Sequence, residues 1–319
     1  MAEKIKMRTR VLTSMTNTEV ENYLKRSDII IVPVGVTEMH GAYPLDCEYI
    51  MAEAYARLIA EEVDGLVLPN LAYFHPGATQ TGRGTVHISM TDGFNYVTAI
   101  AESLLQQGFR RQVYIPGHQP TSQFLLPMIT EFFDNNKVPI FYLDPMSYLP
   151  AQGAMLPIFE EAKHMAPPGE PSTEEKLGQH AKWIGSYKIC NKLDDFPTGA
   201  EVNDPSFYPS RNPDDPLFKH LLPLLMARPT LLSCSPAFYY NAVSDHGTGP
   251  IPETREEIEH EAVYGEKYLR EQVAKCGDNL REIMAALKEV DKYMNTVIME
   301  KHGDHLPRNK WSPNVVKEL

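Results

Sequence analysis

The run Ile29-Ile-Ile-Val-Pro-Val34 constrains this chain more than any other stretch. It is apolar without interruption and almost wholly β-branched, whereas a strand wet on one face would alternate apolar with polar residues. Such a strand must be covered on both faces, as an inner strand of a parallel sheet is. It is also far too short to cross a bilayer. The rest of the first half continues the theme. Cys47 to Val63 sets Ile50, Met51, Ala54, Leu58 and Ile59 on one helical stripe. Gly65-Leu-Val-Leu-Pro69 predicts a second strand. A helix follows with Phe94, Val97, Ala101, Leu104 and Leu105 inward, Thr91 as its expected cap and Gly108 at its expected end. Gln112-Val-Tyr-Ile115 predicts a third strand. Phe124, Leu125, Met128, Ile129, Phe132 and Phe133 mark another helix, and Val138-Pro-Ile-Phe-Tyr-Leu143 a fourth strand. Strand and helix in alternation mean crossover units. The expected fold is an α/β three-layer sandwich with a mostly parallel sheet and helices on both faces.

From about residue 145 to 252 the rhythm breaks. Pro167-Pro168-Gly169 and several Asp-Pro and Asn-Pro steps predict an elaborated loop region. C-terminal helices are expected at about 253–297, where Leu280, Ile283, Met284, Leu287 and Met294 share a face. With no internal repeat, residues 1–319 read as a single domain.

Charge narrows the partners. Lysine and arginine total 30 against 42 acidic residues, a net charge of −12. That sign is wrong for a general binder of nucleic acid or anionic membrane. Cys47, Cys190, Cys234 and Cys276 are scattered without a C-x-x-C pair, so neither a disulfide framework nor a zinc knuckle is expected. The opening residues carry basic side chains but no apolar signal core. A cytoplasmic protein with a small-molecule substrate is the expectation.

In open parallel sheets ligands sit beyond the carboxyl ends of the strands. Two segments place metal-competent residues there. Gly35-Val-Thr-Glu-Met-His-Gly41 follows the first strand, and Glu38 and His40, two apart, can point the same way in an extended loop. Pro116-Gly-His-Gln-Pro-Thr121 puts His118 at the tip of the third strand. A carboxylate and imidazoles converging from separate strand ends suit a divalent ion. The same spacing also fits an exposed loop pair and a turn histidine.

Family likeness separates these readings. VPVGVTEMHGAYPLDCEYIMAEA resembles the opening signature of the creatininase family, amidohydrolases in which a Glu-x-His-Gly turn leads to Pro-Leu-x-Thr-Asp and a helix. Arg83-Gly-Thr-Val-His-Ile-Ser89 resembles the family's Pro-Gly-Thr-Ile-Ser-Leu segment. Gln107 to His118 resembles the Gly-Phe-Arg stretch that leads into Asn-Gly-His. Gly178-Gln-His-Ala181 is similar to its Glu-His-Ala element, and Asp245-His-Gly-Thr-Gly-Pro250 more loosely to a late Gly-Asp-Pro loop. The resemblance covers most of the chain in order. It implies Glu38, His40 and His118 as metal ligands, Glu38 counting also as catalytic. The family's bridging aspartate falls on Glu48, with Asp46 as the other candidate. His180 matches a proton-transfer histidine. His75 and, less so, His87 are placed to line the pocket, and His246 with Asp245 to order a loop. The resemblance further implies Zn2+ or Mn2+, one or two per chain, and a homo-oligomer, often a hexamer.

There are departures. Pro120 stands where creatininase has a carboxylate, Gly185 where a glutamate is typical, and Gln179 replaces an acidic residue. Glu160 or Glu161 are candidates to restore the charge. The implied activity is hydrolysis of a C–N bond in a small cyclic or linear amide. The ion would activate a water and polarise the carbonyl, and His180 would protonate the leaving nitrogen. The alternative is a lactone hydrolase, isomerase or lyase of a small polar or sugar-like metabolite, or a scaffold that binds without turnover. No Gly-x-Ser-x-Gly elbow, phosphate loop or dinucleotide fingerprint is present.

Overall fold

The computed structural model describes residues 5–152, 173–199 and 251–306. Four parallel strands form the sheet: β1 (Ile29–Val34), β2 (Leu66–Val67), β3 (Arg111–Pro116) and β4 (Phe141–Tyr142), in the order β2-β1-β3-β4. β1 and β3 pair along their whole length, from Ile29 opposite Arg111 to Val34 opposite Pro116. Every position of β1 is buried.

Alternation along the central strands divides two cores. Ile29, Ile31, Val113 and Ile115 face α2 (Cys47–Val63), α6 (Thr173–Ile189), α7 (Arg255–Lys275) and α8 (Gly277–Tyr293). Ile30, Val32, Val34 and Tyr114 face α1 (Asn17–Leu24), α3 (Met90–Gln106) and α4 (Ser122–Asn136). Each isoleucine fully buried in this way contributes about 1.5–3 kcal/mol relative to exposure. These are the three layers expected from the uninterrupted apolar run. Among the described residues no helix is long and apolar enough to cross a membrane.

Three details differ from the sequence reading. β2 and β4 are two-residue ladders, because Pro69 and Pro139 lack the N–H that a longer ladder needs. Ser89, not Thr91, caps α3, its hydroxyl oxygen accepting from Asp92 N at 3.0 Å. The region read as loops contains α5 (Pro145–Ala151) and α6 among its described residues. Pro145 opens α5 at the first helical position behind the Asp144 cap, where proline favours a helix.

The connections place the site. α2 carries the chain from β1 to β2 on one face. α3 then brings it back past β1 to β3 on the other face. The crossovers therefore diverge from between β1 and β3, the switch point where open α/β sheets bind ligands. Glycine closes the gap there. A Cβ on Gly35 would stand 2.6 Å from Tyr49 Cα, and one on Gly117 2.5 Å from the Glu48 carbonyl oxygen. The first turn of α2 thus rests directly on both strand ends.

Candidate metal centre

Beyond β1 the chain turns under backbone control. Gly35 N donates to Leu71 O at 2.9 Å, and Glu38 N to Leu45 O at 2.9 Å. Glu38 is fully buried, and His40 is 5% exposed. Beyond β3, the His118 carbonyl accepts from Thr121 N at 3.1 Å, which closes a tight turn directly after His118. Glu48 enters from the first turn of α2.

These side chains converge. His118 Nδ1 contacts a Glu48 carboxylate oxygen and lies 3.2 Å from Glu38 Oε1. One potential ligand atom from each of Glu38, Glu48 and His118 lies within 4.8 Å of the others. His40 Nε2 is 3.8 Å from Glu48 Oε1, at the edge of the trio. Burial disfavours a charged His118, yet the Glu48 and Glu38 carboxylates, with the Pro76 backbone, overcome it and raise its pKa to about 9. Without an ion, a proton on His118 offsets the two acids. Two carboxylates and an imidazole within reach of one point, Glu38 and His118 buried and Glu48 partly so, are a donor set that zinc or manganese accepts.

The structure also separates Glu48 from Asp46. Asp46 takes the N-cap position of α2 and turns away, accepting from Tyr187 Oη at 2.5 Å and lying 3.5 Å from Lys192 Nζ. Its carboxylate joins α2 to α6 while Glu48 faces His118. His40 is walled by aromatic edges, with Trp183 at 5.2 Å and Tyr43 at 5.9 Å between ring centroids. His75 and His87 form an edge-on pair at 5.4 Å. Burial lowers the pKa of half-buried His75, helped by the nearby His87 and His118. Cys47 is no nucleophile here, since burial and then the Glu48 charge push its thiol well up.

His180 belongs to α6, but its side chain lies outside the described residues, as do Glu160, Glu161, Asp245 and His246. Two contributors escaped the sequence reading. Trp183 has no motif of its own. Thr79, whose hydroxyl donates to Glu38 Oε2, lies 41 residues from its partner.

The family model for creatinine amidohydrolase matches residues 13–186, more than half of the chain. A stretch of 122 residues is 28% identical to 3-dehydro-scyllo-inosose hydrolase of Thermotoga maritima, covering 38% of this chain and 39% of that protein. A stretch of 105 residues is 28% identical to creatinine amidohydrolase of Pseudomonas putida, covering 31% of this chain and 40% of that one. These alignments span about two fifths of each relative, and both relatives are hydrolases. A solved creatininase with a tryptophan-to-alanine substitution superposes with a TM-score of 0.58 at 17% identity, over 87% of this chain and 99% of that one. Zinc–zinc and manganese forms of creatininase share the fold, with TM-scores of 0.52 and 0.51. By family match and by fold, with an acid-and-imidazole centre at the switch point, this chain belongs to the creatininase family.

Proposed function

We propose that this protein is a divalent-metal-dependent hydrolase that cleaves a C–N bond of a small cyclic or linear amide. The observation that carries the proposal is the convergence of Glu38, Glu48 and His118 at the β1/β3 switch point. In this reading these three hold Zn2+ or Mn2+, and His40 serves an adjoining second position. The bound ion would supply a water of lowered pKa, from 15.7 toward roughly 7, and polarise the scissile carbonyl.

The remaining work falls to the chain. Glu38 is buried and Glu48 partly so, and two carboxylates brought together there favour a cation. His118 would have to lose its proton to serve as a ligand. Trp183 and Tyr43 shield His40 and offer an apolar wall to a flat ring. The likeness to family sequences assigns His180 the transfer of a proton to the leaving nitrogen, and α6 reaches the site through Trp183. A homo-oligomer in the cytoplasm completes the reading, to be checked by light scattering and fractionation.

A second reading is favoured by one relative and one departure. The Thermotoga maritima protein acts on an inosose, and Pro120 replaces a carboxylate beside His118. Hydrolysis of a sugar-like ring fits both. The first test is metal content per chain, measured on protein purified without chelator, for wild type and His118→Ala, followed by a panel of cyclic amides, lactones and inososes. Metal present in wild type and lost in the variant, with amine or ammonia released, supports the first reading. Turnover of the inosose alone selects the second. No metal after incubation with zinc or manganese sinks both.

A further inference from the structure

The two oxygens of the buried Glu38 carboxylate meet different partners. Oε1 lies toward His118 Nδ1 at 3.2 Å, and Oε2 receives the Thr79 hydroxyl. Thr79 is 2% exposed and sits on the short turn Gly77–Thr81. Its Oγ1 is also 3.0 Å from the Pro76 carbonyl. A hydroxyl has one hydrogen to give, and an ionised carboxylate can only accept. While Glu38 is charged, that hydrogen belongs to Glu38, and a bond to a charged acceptor is the stronger of the two.

The turn is fixed to the ligand loop at several points. The Thr85 hydroxyl accepts from Met39 N at 2.9 Å and donates to Thr79 O at 3.0 Å. Val86 N donates to Thr37 O at 2.9 Å. Gly82 lies flush on Met39, where a Cβ would come within 2.4 Å of the sulfur. Met39 is the residue between Glu38 and His40, so Thr79 is held at a set distance from both.

We propose that Thr79 is a positioning residue of the metal centre: by holding Oε2 of Glu38 it presents Oε1 to the ion. The inference rests on the reading of Glu38, Glu48 and His118 as metal ligands. Outer partners that orient a ligand typically change metal affinity by about 10- to 100-fold when removed. It also gives the Gly82–Val86 stretch a physical task, as the strap that registers Glu38 and His40 beside His118.

The test is the zinc dissociation constant of the full-length chain, by competition with a chromogenic chelator, together with the absorption spectrum of the cobalt-loaded protein. Thr79→Val should weaken zinc about tenfold or more and shift the cobalt bands, while Thr79→Ser should stay within about threefold of wild type. Should the valine variant fail to fold by circular dichroism, Thr79→Ala carries the same expectation. Wild-type affinity and spectrum in the variant without the hydroxyl would overturn the inference. So would a serine variant as impaired as the valine one, because methyl packing would then be the cause. Wild type that binds no zinc overturns the ligand reading itself, which separates the two failures.

Discussion

Opposite ends of the same two strands treat their carboxylates differently. At the amino ends three acids meet guanidiniums. Asp28 pairs with Arg111, Asp64 with Arg10 at 2.9 Å and Arg26 at 3.0 Å, and Asp291 of α8 with Arg110 at 2.6 Å. At the carboxyl ends Glu38 and Glu48 face imidazoles among the described residues. A guanidinium keeps its charge at any working pH and closes on a carboxylate like a fork. An imidazole can surrender its proton and turn the freed lone pair to a metal. One end is closed electrostatic structure; at the other, on the proposed reading, a proton can be exchanged for an ion.

The sharpest way to break this contrast is Glu38→Gln. If Glu38 is a direct ligand as proposed, its loss should weaken zinc by more than the roughly hundredfold upper range for outer partners. Thermal stability of the metal-free chain should change by no more than about 1 kcal/mol, because the attraction lost to protonated His118 is offset by the repulsion lost between Glu38 and Glu48. A large stability loss with metal binding intact would make this end structural too. Arg110→Ala should do the reverse. Leaving the mostly buried Asp291 with only its Asn295 hydrogen bond among the described residues should cost about 2–3 kcal/mol in denaturant unfolding, with zinc affinity unchanged.

Acidity separates the ends further. With the His118 pKa near 9, zinc affinity should rise about tenfold per pH unit below that value and level off above it. In the metal-free chain the sign for stability is opposite. His118 contributes fully below its ordinary 6.5, and the contribution fades as pH rises through about 9. At the other end burial alone would raise Asp64, but Arg26 and Arg10 overcome it and hold the carboxyl below 3.8. Its contribution is therefore present above 3.8 and lost only as pH falls through its lowered value. Titrating both quantities between about pH 6 and 9 should move the zinc isotherm while an Arg10→Ala difference in stability stays flat. The smallest effect expected is that of Tyr187→Phe. It removes one hydrogen bond to Asp46 and should cost about 1 kcal/mol in thermal unfolding, with little change in zinc affinity.

Much of the fold was legible because burial writes itself into composition. Ile29–Val34 could only be an inner strand, and the stripe from Cys47 to Val63 matches α2 end to end. Glu38, His40 and His118 were legible as residues just past strand ends, because parallel sheets bind there. Whether Asp46 or Glu48 faces inward was not, since the choice depends on how the first turn of α2 is phased against two glycines, Gly35 and Gly117, brought there by tertiary packing. Thr79 was invisible for a related reason: a hydroxyl that serves a carboxylate 41 residues away leaves no local pattern. Proline misled most between residues 145 and 152, where it reads as a breaker yet starts α5.

The crossing of α6 and α7 has a mechanical consequence. A Cβ on Gly265 would fall 1.6 Å from the Ala181 carbonyl oxygen, and one on Gly185 2.3 Å from the Gly265 carbonyl carbon. The backbones touch with no side chain between them to act as a bearing. α6 and α7 are therefore seated backbone on backbone, so a displacement of one carries the other and, with it, the Trp183 ring beside His40. In a bolted joint of that kind, a single methyl group added at Gly265 would spread the pair and tilt the Trp183 ring away from His40.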